Sequence, residues 1–304
     1  EGIIMFLGIA AGLVSALLQS TSYVCSANFM LKYKSPLRLV IFSQLVMGAF
    51  CLPFVPFLFP RELLNRLPEF ALWVGAWLLC FSIGQTAFFN ALRSIESSRI
   101  SSLLGLKILV LSVIYVLMMR IPLSGLQWIA VFLSTAAAVG MNWSGGARFS
   151  FRGILWLTAA LIFYSLTDMT ETHLVKMPRS GNMILDSCAI GAVCYSILGI
   201  ATLPFLLKFR WTGKQFIRSA PFAFAWYLSQ VALFVCFGML GTVFGNVIQA
   251  SRGLISIAIG MLLLHYGFGK LDAKISGSMW LRRAIAAILM TAGIILYSLA
   301  QWHS

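Results

Sequence analysis

Runs of about 20 mostly apolar residues, each the length a helix needs to cross the hydrocarbon core of a bilayer, recur from one end of this chain to the other. Ten can be drawn, at 3–31, 37–59, 69–92, 98–120, 124–142, 153–174, 183–207, 219–240, 243–266 and 281–301. The runs are continuously apolar, whereas barrel strands alternate apolar and polar residues over about ten positions, which disfavours a β-barrel. Composition agrees. With 60% hydrophobic and 10% charged residues and a mean hydropathy of +0.93, the 304 residues carry more apolar side chain than a soluble domain could bury. The expected fold is an all-α membrane protein with ten transmembrane helices.

The connections are short, and many hold Pro or Gly, as in "FPRELLNRLPEF", "RIPLSG", "NWSGGARFSFRG" and "KMPRSGN". None is long enough for a separate soluble domain. The first run is too long for a signal peptide and has neither a basic leader nor a small-residue cleavage site, so it reads as the first helix. Residue 1 is Glu, and a native start is expected upstream of it. Cys25, Cys51, Cys80, Cys188, Cys194 and Cys236 lie in or beside apolar runs without a CxxC pair or a Cys/His cluster, so they read as packing residues and no metal site is expected. There is no HExxH, no GxSxG and no glycine-rich phosphate loop. The chain is therefore expected to be no enzyme, to need no cofactor, and to be no ATP-driven pump in its own right.

A net charge of +14 could suggest nucleic acid, but the basic residues are scattered among loops and not gathered on one aromatic-flanked surface. Anionic lipid headgroups are their natural counterpart, so the expected partners are the lipid bilayer and a small-molecule substrate, with no nucleic acid and with monomer or dimer left open. Loops after odd-numbered runs hold 15 Lys and Arg, and loops after even-numbered runs hold 5. On the positive-inside rule alone, both termini would lie outside.

The sequence also repeats. Setting residues 8–31 over 153–176 matches Gly8 to Gly153 and Ser20 to Ser165, an offset of 145. The same offset takes Lys34-Ser35 to Arg179-Ser180, and takes Lys107 inside the fourth run to Arg252 inside the ninth. Two five-helix units, 1–145 and 146–304, follow, and an odd number of crossings forces the second to enter from the opposite side. Inverted repeats of this kind are the plan of many secondary transporters, whose substrate sites lie near the midplane.

Residues 90–142, "NALRSIESSRISSLLGLKILVLSVIYVLMMRIPLSGLQWIAVFLSTAAAVGMN", hold an aromatic-Ala-Leu helix end, a small-residue loop, an apolar fourth helix and a short turn before an Ala/Gly-rich fifth. In this the chain resembles the EamA-type branch of the drug/metabolite transporter superfamily. Residues 237–298 resemble the same pattern more weakly, and the ten-helix layout extends the resemblance over the chain. It departs at "RIPLSG", where the family commonly has a Gly-Glu-Arg turn. The resemblance implies a multi-pass protein of a cell membrane, the bacterial inner membrane, working as a secondary transporter that exports or exchanges a small polar metabolite. It also implies cytoplasmic termini, the opposite of the charge count, and orientation stays open.

Lys107 and Arg252 are the residues that most need a reason. A cation near the bilayer centre costs roughly 2.5 kcal/mol or more, so it faces a cavity or a partner. On the ninth helix Gln249, Arg252 and Ser256, at i−3, i and i+4, share one face, which Gly245 extends. Tyr115 lies two turns beyond Lys107, and Tyr164, Asp168 and Thr172 share a face of the sixth helix, with Gln19 aligned to Tyr164 by the repeat. Asp168 reads as the one acid well inside a run, with Glu171 nearer its end, so it is the candidate proton site or the partner of Arg252. Two cations against one deep acid leave positive charge for a substrate to neutralise. In phosphate-exchanging and nucleotide-sugar members of the superfamily, basic residues on the fourth and ninth helices hold the substrate's anionic group, and the resemblance implies that role for Lys107 and Arg252. The expected substrate is an organic anion or a zwitterion with a carboxylate, bound by Lys107, Arg252, Gln249, Ser256, Tyr164, Gln19 and Tyr115. A lipid-headgroup flippase and a broad-specificity drug or amino-acid exporter are the alternatives. Asn246 and Gln230 are either cavity groups or bonds across packed helices. Trp73, Trp77, Trp128, Trp143 and Trp302, near the ends of runs, are read as interfacial.

Overall fold

The structure, a computed structural model, describes residues 2–92, 103–141, 151–208, 211–265 and 277–302. Arg93, Arg99, Trp143, Arg148, Lys270, Lys274 and His303 lie outside the described residues. Among the described residues every element is helical. The main helices are α1 (Gly2–Tyr33), α2 (Pro36–Cys51), α3 (Leu67–Leu92), α4 (Lys107–Met119), α5 (Gly125–Met141), α6 (Phe151–Lys176), α7 (Met183–Thr202), α8 (Gly213–Leu240), α9 (Thr242–Gln249), α10 (Arg252–His265) and α11 (Gly277–Trp302).

Six spans among the described residues are long and apolar enough to cross a membrane: Gly2–Ser26, Pro36–Leu58, Arg61–Ala91, Phe151–Lys176, Met183–Lys208 and Gly213–Leu240. Leu104–Met119, Gly125–Gly140 and Ile285–Gln301 are shorter apolar helices. The surface confirms the environment. Ile3, Phe6, Phe57, Leu72, Leu117 and Phe151 are each more than 70% exposed, while Ser15, Gln19, Ser112, Ser165, Asp168 and Glu171 are buried. Water would favour the reverse, and such apolar faces are stable against lipid. The chain is a multi-pass membrane protein.

The count of ten uninterrupted crossings is not reached among the described residues. The run 243–266 is two helices, α9 of 8 residues and α10 of 14. At 1.5 Å per residue they are about 12 and 21 Å long, and neither alone spans a core of about 30 Å. The break falls at Ala250 and Ser251. There the amide of Ser251 donates to the Ile248 carbonyl at 3.0 Å and that of Gly253 to the Ala250 carbonyl at 3.3 Å, the i−3 spacing of a tightened turn. The second run is interrupted more gently. Pro53 and Pro56, which have no N–H to donate, turn the end of α2 into a 3₁₀ turn at Leu52–Phe54 and a short helix at Val55–Leu58.

Packing groups the chain into two compact units, one of Glu1–Val74 with Thr172–Leu240 and one of Gly75–Glu171 with Gly241–Ser304. This division differs from the sequence halves at 145/146, since each unit draws helices from both. The offset of 145 can be compared with the backbone at two places. Lys34 and Arg179, which it pairs, both take left-handed φ, at 47° and 57°. Helices α4 and α10 start at its paired residues, Lys107 and Arg252.

In the first unit, α1 lies against α8, where the Ser15 and Ser229 hydroxyls meet at 3.2 Å and Ser229 also donates to the Ser15 carbonyl at 2.9 Å. Phe29, Leu39, Ile41, Phe42, Leu45 and Phe222 form an apolar cluster of this unit. Helix α2 crosses α7 through two glycines so close that a Cβ on Gly48 would stand 2.7 Å from the Gly199 Cα. Close backbone approach through small residues is how membrane helices gain dispersion contact where no hydrophobic effect drives them together. In the second unit α5 lies against α11, around Ala137, Ala286 and Met290. Phe244 of α9 stacks on Tyr297 of α11 at 4.8 Å.

The α2/α7 crossing yields a direct expectation. Gly48→Ala must push two backbones apart, which should lower stability by about 1–3 kcal/mol. Gly75→Ala, where a Cβ would meet nothing within 4 Å, should stay within about 0.5 kcal/mol of the parent. Thermal melting of both variants in one detergent checks the pair.

Candidate functional site

In the second unit the polar chemistry converges around the middle of α6. This helix runs to Lys176, so a full turn of helix lies beyond Glu171. Asp168 and Glu171, at i and i+3, share a face and are 6% and 4% exposed. Glu171 is thus a second deep acid, and the reading of Asp168 as the one acid well inside a run is corrected. The i+3 spacing was visible in the sequence, but its burial depends on what packs against α6.

Lys107 follows a 3₁₀ turn at Leu104–Leu106 through which the helical chain, with Leu103 also helical, enters α4. Gly105 allows this entry. A Cβ there would stand 2.6 Å from the Cβ of Ala138 on α5, so the turn lies flat against its neighbour. A buried ammonium in a membrane protein demands an anion or a polar cavity. Asp168 supplies the anion. The Lys107 Nζ lies 2.6 Å from Asp168 Oδ2, with side chains 21% and 8% exposed.

The same Oδ2 accepts a hydrogen bond from Asn246 Nδ2 at 2.6 Å, and Asn246 donates also to the Thr242 carbonyl at 3.0 Å. Asn246 belongs to α9, whose 8 residues are all buried. Gly241 (φ 83°) admits the chain to this short helix from α8, and the Ala250-Ser251 turn ends it. Discontinuous helices deep in a membrane protein are tolerated where protein or a cavity satisfies the freed backbone, and they are where transporters place their sites. One turn further along α6, Glu171 Oε1 accepts from Trp77 Nε1 at 2.9 Å. Trp77, read from the sequence as interfacial, is wholly buried.

The remaining sequence candidates divide. Gln249 closes α9 and is buried, and Arg252 opens α10 half-buried. The turn at Ala250-Ser251 lies between Gln249 and Arg252. Of Ser256 only the backbone, in α10, lies within the described residues. Tyr164 is half-buried, with its ring beside Phe88 and so near α3 that a Cβ on Gly84 would stand 2.9 Å from its Cδ1. Tyr115 is half-buried on α4, two turns from Lys107. Gln19 and Gln230 are buried in the first unit, on α1 and α8. Asn246 and Trp77 are the groups that sequence reasoning left out of the site. An asparagine and a tryptophan in apolar runs are too common a pattern to single out without their partners.

The Lys107–Asp168 contact can be tested as a pair. Breaking a buried ion pair costs about 3–5 kcal/mol because the remaining charge is stranded, and the partial exposure of Lys107 places this one at the low end. Asp168→Asn or Lys107→Gln alone should therefore lower the melting temperature clearly. The double variant should recover most of the loss, and a double-variant cycle of melting curves reads the coupling.

No curated protein matches this sequence. Residues 6–143 match the EamA-like transporter family, which bears out the resemblance read from residues 90–142. Among solved structures 29 chains match. One, a crystal structure, is 17% identical, with a TM-score of 0.67 over 96% of this chain and 96% of its own. At that identity it establishes the fold.

Proposed function

We propose that this chain, EamA-like over residues 6–143, is a secondary transporter of a small zwitterionic metabolite that carries a carboxylate, working by alternating access in a cell membrane. The observation that carries the substrate class is the Lys107–Asp168 pair at 2.6 Å, with Glu171 one turn away on the same face. A pure anion drawn to Lys107 would strand Asp168, and a pure cation drawn to Asp168 would strand Lys107. Either loss is of the order of the ~3–5 kcal/mol for breaking a buried pair. A zwitterion replaces the pair on both sides, with its carboxylate taking the lysine and its ammonium taking the acid. The shift from anion to zwitterion follows from the pairing of Lys107, which composition alone left uncompensated.

Arg252 adds a planar guanidinium suited to bidentate contact with a carboxylate. Gln249, at the end of α9, and Tyr164, on the same helix as Asp168, are the neutral groups in this reading that fix orientation. The helix break before Arg252 suits the task as well. A short helix such as α9 can shift against its neighbours without unwinding a full crossing, which is a way to open a buried site to one side of the membrane and then the other. Substrate exchange then follows from the energetics, since the empty site closes on itself through the Lys107–Asp168 contact and the loaded site closes on the substrate.

A thermal-shift screen of the purified protein against amino acids, simple carboxylates, phosphates and alkylamines checks this reading, because a bound ligand stabilises the fold by the logarithm of its saturation. Zwitterions with a free carboxylate should raise the melting temperature most. Lys107→Gln and Arg252→Gln should each weaken that response by about thirtyfold or more in affinity. Stabilisation by phosphates or carboxylates alone, with none by zwitterions, would overturn the proposal.

A further inference from the structure

In the polar cluster of the second unit one ammonium faces two carboxylates. Lys107 and Asn246 both serve Asp168, through the same Oδ2 at 2.6 Å each. Glu171 receives a neutral N–H from Trp77 on Oε1, while its Oε2 is buried without a hydrogen-bond partner among the described residues. The charged groups that act on Glu171 are Asp168, one turn back on α6, and Lys107 on α4, and the groups supplied by α3 and α9 are the neutral Trp77 and Asn246. One positive charge can compensate one carboxylate in a site this dry, and the geometry commits it to Asp168.

We infer that Glu171 is a proton-binding site: its buried Oε2 carries an exchangeable proton. The exchange is Glu171 carboxylate plus a proton from water giving the neutral carboxyl, with no other reactant. The inference places the titrating role on Glu171, whose buried Oε2 has no hydrogen-bond partner among the described residues, in place of Asp168. It also gives transport a coupling device. When a substrate ammonium enters beside Asp168 and Glu171 and its carboxylate takes Lys107, the ammonium competes with the proton for the Glu171 carboxylate and can displace it to water. That coupling rests on the transporter reading above, whereas the proton on Glu171 does not.

Infrared spectroscopy of the purified protein without substrate separates the two. A protonated carboxyl in an apolar site shows a carbonyl stretch distinct from every carboxylate. At neutral pH the wild type should show this band, it should shift when glutamate is labelled with carbon-13 at its side-chain carboxyl, and Glu171→Gln should remove it. Raising the pH should bleach it reversibly. Trp77→Phe, by removing the hydrogen bond to Oε1, should move the band to higher frequency. This arm decides the matter even if Glu171→Gln does not fold. A band that ignores the glutamate label, or that Trp77→Phe leaves in place, would assign the proton elsewhere, and absence of the band at neutral pH would overturn the inference outright. None of these outcomes depends on a substrate, so a failed thermal-shift screen beside a Glu171 band would remove the zwitterion reading and leave the proton site standing.

Discussion

The second unit is organised by a requirement of charge balance in a dry place. Lys107 cannot keep its charge in so dry a place without an anion or a cavity. Asp168 meets the demand at 2.6 Å, and Asn246 donates to the same oxygen. Through these contacts α4, α6 and α9 are held by one carboxylate, and Trp77 ties α3 to the same helix through Glu171. A single turn of α6 thus touches three other helices by polar bonds, in a setting where such bonds need not compete with bulk water.

The irregular backbone serves the same end. Gly105 lets the chain lie against Ala138 so that α4 begins at Lys107, and Gly241 turns the chain from α8 into the buried α9. The turn at Ala250-Ser251 then starts α10 at Arg252. Each break delivers a polar or charged residue to a helix end, where its orientation differs from that of a mid-helix residue. The first unit contrasts with this. Its α1/α8 and α2/α7 crossings rely on paired serines, close glycines and a Phe-rich cluster, a design for tight packing.

Much of this was legible in the residues. The runs 69–92 and 153–174 correspond to α3 and α6 within two residues at each end, because length and hydropathy are local properties that bilayer thickness reads directly. The offset of 145 is legible too, and it reappears as a shared left-handed turn at Lys34 and Arg179 and as the common start of α4 and α10. The ninth run divides into two helices and was not legible as such, because hydropathy does not register the two-residue turn at Ala250-Ser251. Trp77 was misplaced at an interface for a similar reason, since burial is a property of neighbours.

By itself the sequence determined that the chain crosses a membrane many times, that it carries Lys107, Arg252 and Asp168 where charge is costly, and that it resembles a transporter family. These follow from the energy of each residue in its own stretch. Only the tertiary structure decided that Lys107 spends its charge on Asp168 and that Glu171 is as deep as Asp168 and bonded to Trp77. Only there, too, does Asn246 close the group. The physical reason is that compensation of a buried charge is a property of pairs: residues 61 and 94 positions apart in the chain meet at 2.6 and 2.9 Å, and local spacing holds no record of who will be opposite whom.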